Sequence, residues 1–315
     1  MSNLKDLKFS QKKKTILLSR IKSVREFSNM KFPEFLEDFI IKQFEDELVF
    51  FPCITHPVYF EGTFMRIVIN RSVRDDKKNK QLAEYSQVKY PPQKVAIKLP
   101  HNRASMKGQS VFYGGYGNLP VTLETKPSFG DLYTVSKWKQ KEGTLLNHLP
   151  IFQNQQFFEN SDYEEDIKAY KKELSSLDKN VAEVTSELFK FMTEFFMKKV
   201  DKNEKLGYLF SALFAKHYLT SDNSKVHCLY YPSVAGHFLS RNIACLPETL
   251  DNYFDCVEIH ESICIQEPNE QTHGWLSIRI SDAININPHA VGDIEWKLHT
   301  SEDEYNYLKS KYKFA

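Results

Sequence analysis

The chain has 315 residues, 41% of them apolar and 26% charged, with a formal net charge of +1 at pH 7. That is a globular composition, and a charge so near balance argues against nucleic acid as a global electrostatic partner. Five cysteines, at 53, 228, 245, 256 and 264, form no CxxC pair, which disfavours a disulfide framework or a thiolate zinc site and fits a reduced, cytoplasmic protein.

Residues 1–32 carry nine Lys or Arg against Asp6 and Glu26, and Leu17, Ile21, Val24 and Phe27 recur at helical spacing. The pattern predicts a basic amphipathic helix. Such a helix is either an arm for nucleic acid or a partner, or a surface helix docked on the body, and the second use is the commoner. Arg20 and Lys22 interrupt this stretch too early for a signal-peptide core. No 18-residue apolar run follows, so no membrane span is expected. Pro33 opens a second helix, "PEFLEDFIIKQFEDEL", with proline suited to the first turn.

Beyond Val58 the pattern changes. "GTFMRIVINRS" (62–72) reads as a strand, "RDDKKNKQ" (74–81) as an exposed charged loop, and "KVAIKLP" and "QSVFYGG" as further strands. Gly114, Gly115 and Gly117 permit a tight turn. "LPVTLETKPS" begins a short helix or ends a strand. In residues 163–200, Ile167, Tyr170, Leu174, Leu177, Val181, Val184, Leu188, Phe191 and Phe195 step by three or four. That predicts a long amphipathic helix, with room for one break. "EKLGYLFSALFAKHYLT" predicts another helix. "FDCVEIHESICIQ", "GWLSIRI" and "DIEWKL" return to strands. Helices, strands, helices and strands in that order imply an α+β fold.

Several polar residues stand out in chain order. They are Arg66 in "FMRIVIN", Arg103 and Tyr113 in "RASMKGQSVFY", Glu124 in "VTLETK", Ser233 in "YPS" and Asn242 in "NIACLP". This ordered set resembles the RES domain, named for an arginine, a glutamate and a serine, over roughly residues 58–265. The resemblance implies an ADP-ribosyltransferase-like strand core with added N-terminal and central helices. It divides the chain into a helical extension at 1–57, a catalytic domain at 58–265 with a helical insertion at about 160–220, and a C-terminal extension at 266–315 packed on the same core. It further implies degradation of NAD+ by cleavage of the nicotinamide–ribose bond, as a phosphorylase or glycohydrolase, in a toxin or defence setting. Arg66, Glu124 and Ser233 would then be catalytic, and Arg103, Tyr113 and Asn242 would bind NAD+. NAD+ is the substrate, no metal or further cofactor is expected, and a neutralising antitoxin or regulatory protein is the expected partner.

Residue chemistry agrees with that expectation. A guanidinium matches phosphate oxygens with a planar fork, and Arg66 and Arg103 supply two. Tyr113 can stack on a ring or bond a ribose. Cleaving a glycosidic bond builds positive charge on the ribose, which a carboxylate such as Glu124 stabilises. Ser233 has His237 four residues on, but no GxSxG elbow surrounds it, so hydrogen bonding to the ligand suits it better than nucleophilic attack. Ile67 follows Arg66, where relatives often carry an aromatic residue. Two further function classes compete: an NAD or ADP-ribose sensor without turnover, and a protein ADP-ribosyltransferase. An RNA-binding reading led by the basic helix predicts binding that weakens steeply with salt and survives loss of Glu124.

Overall fold

The structure, a computed structural model, describes residues 4–48, 52–152, 163–201, 204–220, 226–235, 240–270, 274–284, 286, 289 and 291–314. The fold is α+β. The helices are α1 (Gln11–Ser28), α2 (Glu37–Glu47), α3 (Asn70–Val73), α4 (Gln93–Ala96), α5 (Asn118–Thr125), α6 (Glu164–Ser175), α7 (Lys179–Met197), α8 (Leu209–Thr220), α9 (Pro247–Tyr253) and α10 (Glu302–Tyr312). The strands are β1 (His56–Val58), β2 (Thr63–Ile69), β3 (Phe112–Gly115), β4 (Leu132–Gln140), β5 (Leu146–Pro150), β6 (Cys228–Pro232), β7 (Arg241–Cys245), β8 (Phe254–Gln266), β9 (Leu276–Ile284) and β10 (Glu295–Leu298). Among the described residues, no helix is long and apolar enough to cross a membrane.

Two compact units divide the chain, each assembled from three separated stretches. The first takes Met1–Val58, Lys98–Gln109 and Leu146–Val234, and the second takes Tyr59–Ile97, Ser110–Leu145 and Ala235–Ala315.

The first unit is mainly helical. The expected long helix breaks once, between α6 and α7, where Asp178 caps α7 by accepting from the N–H groups of Asn180 and Val181. Val181, Val184, Leu188, Phe191 and Phe195 form the buried stripe of α7. Phe195 stacks on Phe210 of α8 at 5.1 Å, and Phe44 of α2 meets Phe214 of α8 edge-on at the same distance. The basic helix α1 docks on α7. Leu17, Ile21 and Val24 are buried, Lys14 pairs with Glu183 at 2.9 Å, and Arg25 reaches Glu187 at 2.7 Å and Glu194 at 3.1 Å. The strands β1 and β5 run antiparallel, and β5 and β6 parallel.

The second unit is a sheet in the order β7-β3-β2-β4-β8-β9-β10 with every pairing antiparallel. The helix α10 closes one end, where Leu308 and Phe314 pack on Leu132, Ile263 and Ile280.

Several expectations are corrected. "KVAIKLP" is not a strand: Pro91 and Pro92 precede a single helical turn, α4, in which Val95 and Ala96 both donate to the Pro92 carbonyl. Ile97 is left 64% exposed, which no sheet face accounts for. Gly114 and Gly115 lie inside β3 instead of a turn, because their neighbours come too close for side chains. A Cβ at Gly115 would stand 2.9 Å from Val121 Cγ2 and 3.0 Å from Asn242 Oδ1. Of these three glycines it is Gly117, at φ +82° ahead of α5, that has the backbone favouring glycine. The ambiguous "LPVTLETKPS" is helical as α5. The 74–81 loop is anchored: the Asn79 amide donates to Gly130 O at 2.7 Å and its oxygen accepts from the Leu132 N–H at 2.8 Å.

Candidate functional site

Glu124 of α5 and Asn242 of β7 meet in the second unit, and Tyr113 of β3 lies on the same sheet face. Gly115 pairs with Asn242 across the β3–β7 ladder, so both point to one face. Alternation puts Tyr113 on that face too. Val121 of α5 joins Ile67 and Tyr133 in a buried cluster, which seats α5 there. Glu124, exposed on the last turn of α5, has its Oε1 held by Asn242 Nδ2 at 3.3 Å. A helix C-terminus repels a carboxylate. Glu124 is therefore not placed for the helix dipole, and the Asn242 amide is a local group that orients it. Asn242 itself is 8% exposed.

Arg66 lies on the opposite face. It faces Ser136 across the β2–β4 ladder, on the side of Phe64 and Trp138. Its guanidinium sits 5.8 Å from the Phe112 ring centre, and Nη1 donates to the Tyr113 carbonyl at 3.1 Å. Gly114 continues the Met65–Gly115 register opposite Arg66, and a Cβ there would stand 3.0 Å from the Phe112 ring. Nε is buried without a partner. Burial lowers the Arg66 pKa to about 10, with Tyr113 pulling the other way.

Arg103 belongs to the first unit and is 7% exposed. Nη1 donates to Phe196 O at 2.5 Å and to Lys198 O at 3.1 Å, with a longer contact to Phe195 O at 3.5 Å. The guanidinium lies 5.0 Å from the Tyr208 ring centre. It thus satisfies carbonyls that the end of α7 leaves without intrahelical donors. Ser233, also in the first unit, follows β6 and is fully buried. His237 lies outside the described residues.

The structure therefore brings Tyr113, Glu124 and Asn242 to one face, and does not bring Arg66 there. Thiolate chemistry finds no support: burial pushes Cys53 up to about 11 and Cys256 up to about 12, and raises Cys245 further. Among the described residues no cluster of His, Cys, Asp and Glu could hold a metal ion. Among the buried polar residues that the sequence did not single out, Glu261 is a carboxylic acid with no exposure. It sits in β8 at the phase of Ile259 and Ile263. An acid in the apolar phase of a strand is the signal that marks it. No family model and no curated protein matches the chain.

Proposed function

We propose that the chain cleaves the nicotinamide–ribose bond of NAD+, transferring ADP-ribose to phosphate or water. The observation that carries this reading is Glu124, an exposed carboxylate held at 3.3 Å by the buried Asn242 amide. A fixed carboxylate stabilises the oxocarbenium charge as the glycosidic bond breaks. The departing nicotinamide is neutral, so a single carboxylate suffices without a general acid. Tyr113 offers a ring or hydroxyl on the same sheet face. Arg66 acts from the far face through the Tyr113 carbonyl, and Arg103 and Ser233 of the first unit carry no part of the argument. An enzyme that consumes NAD+ also calls for a restraining partner, such as a neutralising protein.

The experiment is incubation of purified protein with NAD+, with and without phosphate, followed by mass analysis. ADP-ribose identifies hydrolysis and ADP-ribose-1″-phosphate identifies phosphorolysis. Intact NAD+ in a folded sample that binds it refutes cleavage and leaves a sensor. A mass gain of one ADP-ribose on an added protein replaces this reading with a protein transferase.

A further inference from the structure

Glu261 is enclosed by neutral donors only. Its Oε1 accepts from Asn70 Nδ2 at 2.8 Å and from the Leu82 N–H at 3.1 Å, with Thr134 Oγ1 a longer 3.4 Å away, and its Oε2 accepts from Ser281 Oγ at 3.2 Å. Thr134 also donates to Asn70 Oδ1 at 2.8 Å, and Gln81 Nε2 donates to Ser281 Oγ at 3.1 Å. Asn70 and Leu82 bracket the charged 70–82 segment, which is closed on itself by Asn70 Nδ2 to Lys80 O at 2.9 Å and Arg74 Nη1 to Gln81 O at 2.7 Å. The carboxyl is thus one point at which this segment is fastened to β8 and β9, beside the Asn79 bonds to Gly130 and Leu132 and the Arg71–Asp131 ion pair at 2.8 Å.

A glutamine could accept at one oxygen only, its amide nitrogen donating toward Ser281 Oγ instead, and would do so without any charge. A carboxyl in that place makes closure depend on a proton, because an ionised group whose facing cation, Arg74, is hydrogen-bonded to Asp76 instead is costly to keep out of water. We propose that Glu261 is a proton-dependent clasp on the 70–82 segment: protonated, it holds the segment against the sheet, and ionised, it favours release. Burial raises the carboxyl from 4.5 to about 7, against the lowering pull of Gln81, Leu82, Asn70 and Ser281. The closed state therefore binds the proton more tightly than an opened state in which water reaches the acid. Closure is fully supported below the open-state value and loses support as pH rises through the closed-state value. The charged or titratable groups facing Glu261 are Arg74, from the segment itself, and Tyr305, from α10. The groups facing it from β4 and β9, Thr134 and Ser281, do not titrate in this range.

The test is native-state hydrogen exchange at the Leu82 amide between pH 5 and pH 8, corrected for the intrinsic pH dependence of exchange. In the wild type the protection factor falls by at least about tenfold over this range, as linkage of opening to proton release requires. In Glu261→Gln, which mimics the protonated acid, it stays level. A level wild-type profile, or an equal fall in Glu261→Gln, overturns the proposal. Ser281→Ala supplies an independent arm if the glutamine variant does not fold. It removes a donor to the ionised form, so the midpoint of the fall moves to higher pH, and an unmoved midpoint overturns the clasp.

Discussion

Arg103 and Arg66 carry the same guanidinium, and the sequence offers both as forks for phosphate, yet the two units use them differently. Arg103 spends its donors on the carbonyl end of α7 and on Tyr208. Arg66 spends one nitrogen on the Tyr113 carbonyl, lies against Phe112 and leaves Nε buried without a partner. A guanidinium has five N–H donors, and the number that the fold consumes separates a structural arginine from one the fold barely repays.

The comparison breaks most sharply at Arg103. Arg103→Ala strips several buried carbonyls of their donor and is expected to cost about 3–5 kcal/mol, since each buried group left unpaired costs about 1–3 kcal/mol. Urea unfolding measures it, and a loss under about 1 kcal/mol would remove Arg103 from the structural side of the contrast.

Glu261 is the anionic counterpart of Arg66, and it differs in being able to shed its charge near neutral pH. Its folded pKa is raised, so its stabilising contribution is complete below 4.5 and lost as pH rises through about 7. Above that, Glu261→Gln is expected to be more stable than wild type by about 3 kcal/mol, from 1.36 kcal/mol per pKa unit. The gain should vanish at pH 4.5. Equal stability of the two proteins at pH 8 would mean that the ionised acid is fully compensated.

Arg66 gives a smaller effect. Arg66→Met, similar in length and neutral, is expected to leave stability level or raise it by up to about 2 kcal/mol, because a buried cation without an anion is repaid poorly. Thermal unfolding reports it, and a loss as large as that in Arg103→Ala would erase the distinction between the two arginines. Smallest is Asn242→Ala, which releases Glu124. It is expected to slow NAD+ cleavage about tenfold, the value of one hydrogen bond to a charged group, and unchanged initial rates would show that Glu124 needs no orientation.

Much of the helical framework was legible. The three-and-four spacing in 163–200 announces α7 because one face meets a core and the other meets water. The alternation in "FDCVEIHESICIQ" likewise announces β8. By contrast β4 has seven buried positions in its nine-residue pattern, so it shows little alternation to read. In "KVAIKLP", the β-branched Val95 and Ile97 suggest a strand, and the two prolines before them decide for a helical turn. The site was legible in part. Tyr113 and Asn242 share a face because ladder register places them there, and α5 brings Glu124 to Asn242 on that face, whereas Arg66 is one residue out of phase with it. The role of Arg103 could not be read locally, since its carbonyl partners lie 92–95 residues away.

Nicotinamide release from NAD+ by the wild type and by Glu124→Gln, with NAD+ affinity measured on the same samples, tests the central claim most directly. The account predicts release by the wild type and a fall of at least about a hundredfold in Glu124→Gln at unchanged affinity, the scale of losing one transition-state electrostatic contact. Equal release by the two proteins, or none from a folded wild type that binds NAD+, would contradict it.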